Sequence, residues 1–125
     1  MNAIVYFEIQ STDVPRSVAF YKNVFDWEFV KQEFLPIEYY SIETEGIAGG
    51  LLKRPVAIPP THCGTNAFTC SISVTNFDAT AERILKNGGQ VAMAKFAIPR
   101  KSWMGYFLDT DNNVFGVIEP NENAN

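Results

Sequence analysis

A carboxylate two residues from a phenol, on what reads as one β-strand, is the first pairing in this sequence that could do chemistry. In the stretch "IVYFEIQ" strand alternation sets Tyr6, Glu8 and Gln10 on one face and Val5, Phe7 and Ile9 on the other. Burial beside Tyr6 would raise the pKa of Glu8 toward that of a general base, with the phenol as its acid partner. The same parity in "TCSIS" gathers Thr69, Ser71 and Ser73 opposite Cys70, Ile72 and Val74, a row of hydroxyls able to bind but too weakly acidic to react alone. Met104 and Tyr106 of "WMGYFL" are expected to join that polar floor, with Trp103, Tyr39 and Tyr40 as aromatic walls. Arg100 and Lys101 follow "AIP" in a loop, where a guanidinium could clamp an anion. Each has a plainer reading: the solvated face of a sheet, a core aromatic, a charged turn.

The elements that must hold these residues repeat. Residues 3–10 read as a strand, and Asp13 can cap a helix with Pro15 in its first turn and Val18, Phe20, Tyr21, Val24 and Phe25 at helical spacing. "DWEFVKQEF", "IEYYSIET" and "GIAGGLLKR" then read as three strands. After the Pro-rich "RPVAIPPTHCG" the order returns: "NAFTCSISV" is a strand, Asn76 a cap, and "FDATAERILKNGG" a helix with Phe77, Ala81, Ile84 and Leu85 inward. "QVAMAKFAI", "WMGYFLDT" and "NVFGVIE" close it, with a tight turn at "DTDNN". Tyr6 against Thr69, Ile9 against Ile72, Thr12 against Thr75 and Asp13 against Asn76 keep one constant offset. The expected fold is α+β: two βαβββ modules forming curved mixed sheets around a cleft, in one domain with module 1 at 1–54, a linker at 55–64 and module 2 at 65–125.

Composition bounds the function. A chain of 125 residues with 46% hydrophobic content can close a core, and a net charge of −4 with scattered Lys and Arg argues against nucleic acid. No apolar run approaches the ~18 residues of a membrane span, and "MNAIVYFEIQ" lacks the basic and long apolar regions of a signal peptide, so no membrane partner and a cytoplasmic location are expected. The two cysteines, Cys63 and Cys70, make no disulfide framework. The single histidine, His62, sits beside Cys63 in the Pro-rich loop, a pairing more often incidental than ligating.

The run from Asp13 to Trp27, the "NFDA" helix start at Asn76 and the "FLDTDNN" turn at Phe107 to Asn113 together resemble the vicinal oxygen chelate superfamily, the glyoxalase, bleomycin-resistance and extradiol-dioxygenase group. The resemblance covers nearly the whole chain and implies the glyoxalase-like fold, often in a homodimer. It also implies a divalent metal held by one residue on each first strand, usually His, and one on each last strand, usually Glu or His. Carried onto this sequence, those positions fall on Tyr6, Thr69, Gly49 (with Gly50 as the alternative) and Gly116. None is a usual ligand, so no metal and no other cofactor is expected. A small-molecule binder, resembling the drug-sequestering branch, is the leading expectation, with Tyr6, Glu8, Thr69, Ser71, Trp103, Tyr106 and Arg100 as ligand-binding residues. A lyase, isomerase or dioxygenase-type enzyme, using unusual ligands or Glu8 and Tyr6 as acid and base, is the alternative. A regulatory or structural subunit is the third.

Overall fold

In a computed structural model the described residues are 1–59, 66–110 and 113–125. They divide into two compact units, Tyr6–Phe68 and Thr69–Asn125, the latter joined by Met1–Val5. We call them the N-terminal and C-terminal units.

The N-terminal unit holds most of β1 (Ile4–Ser11), then α1 (Val14–Phe25), β2 (Glu28–Lys31), β3 (Tyr39–Glu43) and β4 (Ala48–Lys53). Its sheet runs β2-β3-β4-β1, with β1 parallel to β4 and the other pairs antiparallel. The helix starts where Asp13 Oδ1 accepts the Arg16 N–H at 3.1 Å, with Pro15 in the first turn where no donor is missed. It stops at Asp26, whose left-handed φ of 58° lets its N–H reach Lys22 O at 3.0 Å. Val14, Ile9, Ile42 and Leu51 form the buried core under α1, with Phe7, Val18, Tyr21, Trp27, Phe29 and Tyr40 packed around them.

The C-terminal unit repeats the order with β5 (Thr69–Ser73), α2 (Phe77–Lys86), β6 (Gln90–Ile98), β7 (Ser102–Leu108) and β8 (Val114–Pro120). Its sheet runs β5-β8-β7-β6, and again the first strand is parallel to the last. Asn76 Oδ1 caps α2 through Ala79 N at 2.9 Å, and a second acceptor, Glu119 Oε1 on β8, takes the Phe77 N–H at 2.7 Å. The helix ends at Asn87, followed by Gly88 at φ 96°, a conformation that glycine adopts without strain. Val74, Phe77, Phe107 and Val117 are the core, with Ile72, Ala81, Ile84, Trp103 and Phe115 around it.

Some expectations are corrected. Leu85, expected inward, is 51% exposed: Phe77, Ala81 and Ile84 already complete the stripe that α2 lays on its sheet. On α1 the buried stripe is Val14, Val18 and Tyr21, whereas Phe20, Val24 and Phe25 face solvent. The strand expected over residues 66–74 begins only at Thr69, and those expected over 26–34 and 37–44 shorten to β2 and β3.

Candidate functional site

In each unit the helix covers one face of the sheet, and the candidate residues divide between that face and the one opposite. In the N-terminal unit Phe7 and Ile9 pack under α1, so Tyr6 and Glu8 point the other way, as alternation requires. Parallel pairing sets Glu8 beside Gly50, and β3 sets Ser41 beside Gly50 on its other side. Across this missing side chain the Tyr6 and Tyr39 hydroxyls meet in a hydrogen bond. A Cβ on Gly50 would run into the Tyr39 hydroxyl and come within 2.6 Å of that of Tyr6. Gly49 belongs to the helix side, where an added Cβ would strike the Phe7 ring. Of the two glycines, Gly50 therefore shares the face of Tyr6, and Gly49 does not.

Burial is the main influence on the Tyr6 phenol and pushes its pKa above the ordinary 10.0, opposed by the Tyr39 hydrogen bond and assisted by the negative charge of Glu8. Tyr6 thus keeps its proton at neutral pH and acts as a donor or an acid rather than a base. Tyr39, expected with Tyr40 as pocket wall, instead separates from it: Tyr40 packs into the helix-side core. The Tyr6–Tyr39 pairing was not visible in the sequence, because only the β1-β4-β3 register decides which of two adjacent tyrosines meets Tyr6.

In the C-terminal unit the face opposite α2 carries Thr69, Ser71 and Ser73. Ser71 pairs with Gly116, and a Cβ on Gly116 would collide with the Ser71 hydroxyl and lie 3.2 Å from the methyl carbon of Met104. Ser71 is fully buried, and its hydroxyl has no hydrogen-bond partner among the described residues. Tyr106 pairs with Gly116 across β7-β8 and its ring stacks on Phe96 with centroids 6.4 Å apart. These residues come together.

Trp103 and Arg100 do not join them. Trp103 lies on the helix side, against the α2 core and under Lys95 Nζ at 4.5 Å from its ring, because it is odd in register with Tyr106. Arg100 is an exposed turn residue at φ 63° whose N–H is tied to Ala124 O at 2.9 Å. Ser102 and Tyr106 lie four residue steps apart along β7, roughly 13 Å at the rise of a strand, and Arg100 lies beyond Ser102. Cys70 is a half-buried free thiol. His62 and Cys63 lie outside the described residues.

With this geometry in hand, the comparisons are specific at the level of family. The chain belongs to the Glyoxalase/Bleomycin resistance protein/Dioxygenase superfamily, whose model matches residues 3–117. A glyoxylase-like domain-containing protein of Didymella fabae is 27% identical over 117 residues, 88% of each chain. Among solved structures, a hypothetical protein from Bacillus halodurans is similar at a TM-score of 0.71 and 15% identity, covering 98% of this chain and 97% of that one. Methylmalonyl-CoA epimerase from Mycobacterium tuberculosis is similar at 0.66 and 14% identity, covering 94% and 87%. At these identities the structural likenesses establish the glyoxalase-like α+β fold.

The metal that the family implies has a poor match in these residues. Tyr6 and Thr69 offer neutral hydroxyls at the first-strand positions, and Gly50 and Gly116 offer no donor at the last-strand positions. The space a carboxylate stem would need beside each glycine is taken by the Tyr6–Tyr39 pair in one unit and by Ser71 in the other. Among the described residues, no group of three or more His, Cys, Asp or Glu is placed to hold a metal ion, and no helix is long and apolar enough to cross a membrane.

Proposed function

We propose that this protein binds a small organic ligand on the sheet faces opposite its helices, without the divalent metal typical of its family, and that it works in the cytoplasm as a homodimer. The observation that carries the reading is the filling of both glycine positions: hydroxyls stand where metal-binding carboxylates would otherwise project. The C-terminal unit's face, lined by serine hydroxyls, Met104 and stacked Phe96 and Tyr106, suits a molecule with an apolar body and a few hydrogen-bonding atoms. The test is elemental analysis of protein purified without chelator or nickel resin, then titration with zinc, nickel, manganese and iron. The expected result is metal far below one equivalent; one tightly held equivalent overturns the reading. Light scattering checks the dimer.

A second reading has its own observation. The charge of Glu8 acts on Tyr6, so a carboxylate base and a protonated phenol stand side by side. Such a pair suits proton transfer at carbon, the kind of step an epimerase performs. Incorporation of solvent deuterium into methylmalonyl-CoA, abolished in Glu8→Gln, is its expected signature; no exchange above the buffer rate removes it.

A further inference from the structure

Resting on the ligand-binding reading above, we infer that Ser71 is a specificity-determining residue: its buried hydroxyl receives one uncharged oxygen of the ligand, uncovered when the Met104 side chain swings aside. A buried hydroxyl without a partner is costly, and most such groups in folded proteins have one. Ser71 is buried completely, and its Oγ is unpaired among the described residues. It could shed the cost as alanine with no loss of backbone structure, since β5 is held by its ladder to β8 and by the hydrogen bonds of Ser73 to Asn2 and Ala3. The hydroxyl also lies against the only side of Gly116 from which a side chain could project. The end of Met104, itself buried, lies on that same side of Gly116, 3.2 Å from where a Cβ would stand, and as an unbranched thioether it can change rotamer without backbone movement.

The surroundings define the class of ligand atom. Side chains of β5 to β8 that share this face by register include Thr69, Ser73, Met104, Tyr106, Phe96 and Ile118. None carries a formal charge at neutral pH. A carboxylate or ammonium group delivered to Ser71 would be stripped of water without a counterion, whereas a carbonyl or hydroxyl oxygen would gain a partner. Ser71 can donate to the first and do either with the second.

The experiment uses the intact chain with its methionine methyl groups carbon-13 labelled; there are three, Met1, Met93 and Met104. The probes are 2-phenylethanol, propylbenzene and phenylacetate, which differ at the atom offered to Ser71. In the native protein 2-phenylethanol is expected to shift the Met104 methyl and to bind more tightly than either of the others. Ser71→Ala is expected to raise the Tm of the free protein by about 2–5 °C, because it removes an unpaired buried hydroxyl. The same variant is expected to weaken 2-phenylethanol about fivefold and to leave propylbenzene unchanged. A fall in Tm means the hydroxyl already has a partner in solution and overturns the inference. So does equal weakening of all probes, no weakening of any, or phenylacetate binding as tightly as the alcohol, each of which leaves the ligand-binding reading standing. If no probe shifts any of the three methyls, all of which lie in the C-terminal unit, the ligand-binding reading of that unit's face falls and takes the inference with it.

Discussion

The two units meet the same problem, a glycine in the middle of the strand parallel to the first, with different chemistry. In the N-terminal unit two rigid phenols close over Gly50 and satisfy one another, whereas in the C-terminal unit one small hydroxyl closes over Gly116 and has no partner among the described residues. Their helix starts differ as well: Asp13 alone caps α1, whereas α2 takes both Asn76 and the distant Glu119. The difference teaches that a shared strand order constrains where a side chain can point, while the group found there is free to change.

The comparison is broken most forcefully at the glycines. Gly50→Ala is expected to cost about 1–3 kcal/mol by urea denaturation, because the aromatic rings behind Tyr6 and Tyr39 cannot fold away. Gly116→Ala is expected to cost less, since the Ser71 side chain can rotate about a single bond. Gly46→Ala, where the nearest atom would be Thr44 Oγ1 at 3.8 Å, serves as the neutral control. Equal losses at all three positions would mean that neither glycine is filled as described.

Next in size is the α2 start. Glu119→Ala is expected to cost about 1 kcal/mol at neutral pH through loss of the Phe77 N–H bond. That bond, then Asn121 and Lys95, holds the Glu119 carboxyl below its ordinary 4.5, so its stabilisation is present above that value and lost as pH falls through the lower folded value. Glu119→Gln should therefore flatten the acid limb of a stability-against-pH curve. An unchanged acid limb would remove Glu119 from the cap.

Tyr6 has the opposite sign. Its folded pKa is raised, so its contribution is complete below the ordinary 10.0 and disappears as pH rises through the folded value. Tyr6→Phe is expected to lose about 0.5–1.5 kcal/mol at neutral pH and to blunt the alkaline decline, read from phenolate absorbance near 295 nm. The smallest effect is expected at Arg100, where replacement by Ala should alter affinity for phenylacetate less than twofold, as suits an exposed turn. A tenfold loss would return Arg100 to the site.

Local chemistry made much of the fold legible. Asp13, Pro15 and Asn76 announce helix starts through their own side chains and rings, and the alternation of "YFEI" and "TCSIS" gives the faces of β1 and β5 without knowledge of any neighbour. What escaped depends on partners far along the chain. Trp103 and Tyr106 both lie in β7, and parity alone puts them on opposite faces, yet both were expected in one cleft, Tyr106 on its floor and Trp103 on its wall. The Tyr6–Tyr39 contact requires the intervening β4 register, and Glu119 reaches α2 only because β8 lies beneath it. The closed condition of Gly50 and Gly116 is likewise invisible in a sequence, where a glycine reads as room.

The first residues have a further consequence for how the chain is made. Asn2 and Ala3 bond to Ser73 on β5, so Met1–Val5 are part of the C-terminal unit although they are synthesised before the whole N-terminal unit. Those bonds close a long loop of chain and can form only after β5 has been synthesised. A fragment starting at Thr69 would emerge with one side of β5 bare, the kind of strand edge that recruits other chains into aggregates. Co-expression of such a fragment with residues 1–68 is thus the form in which the two halves have a route to a soluble product.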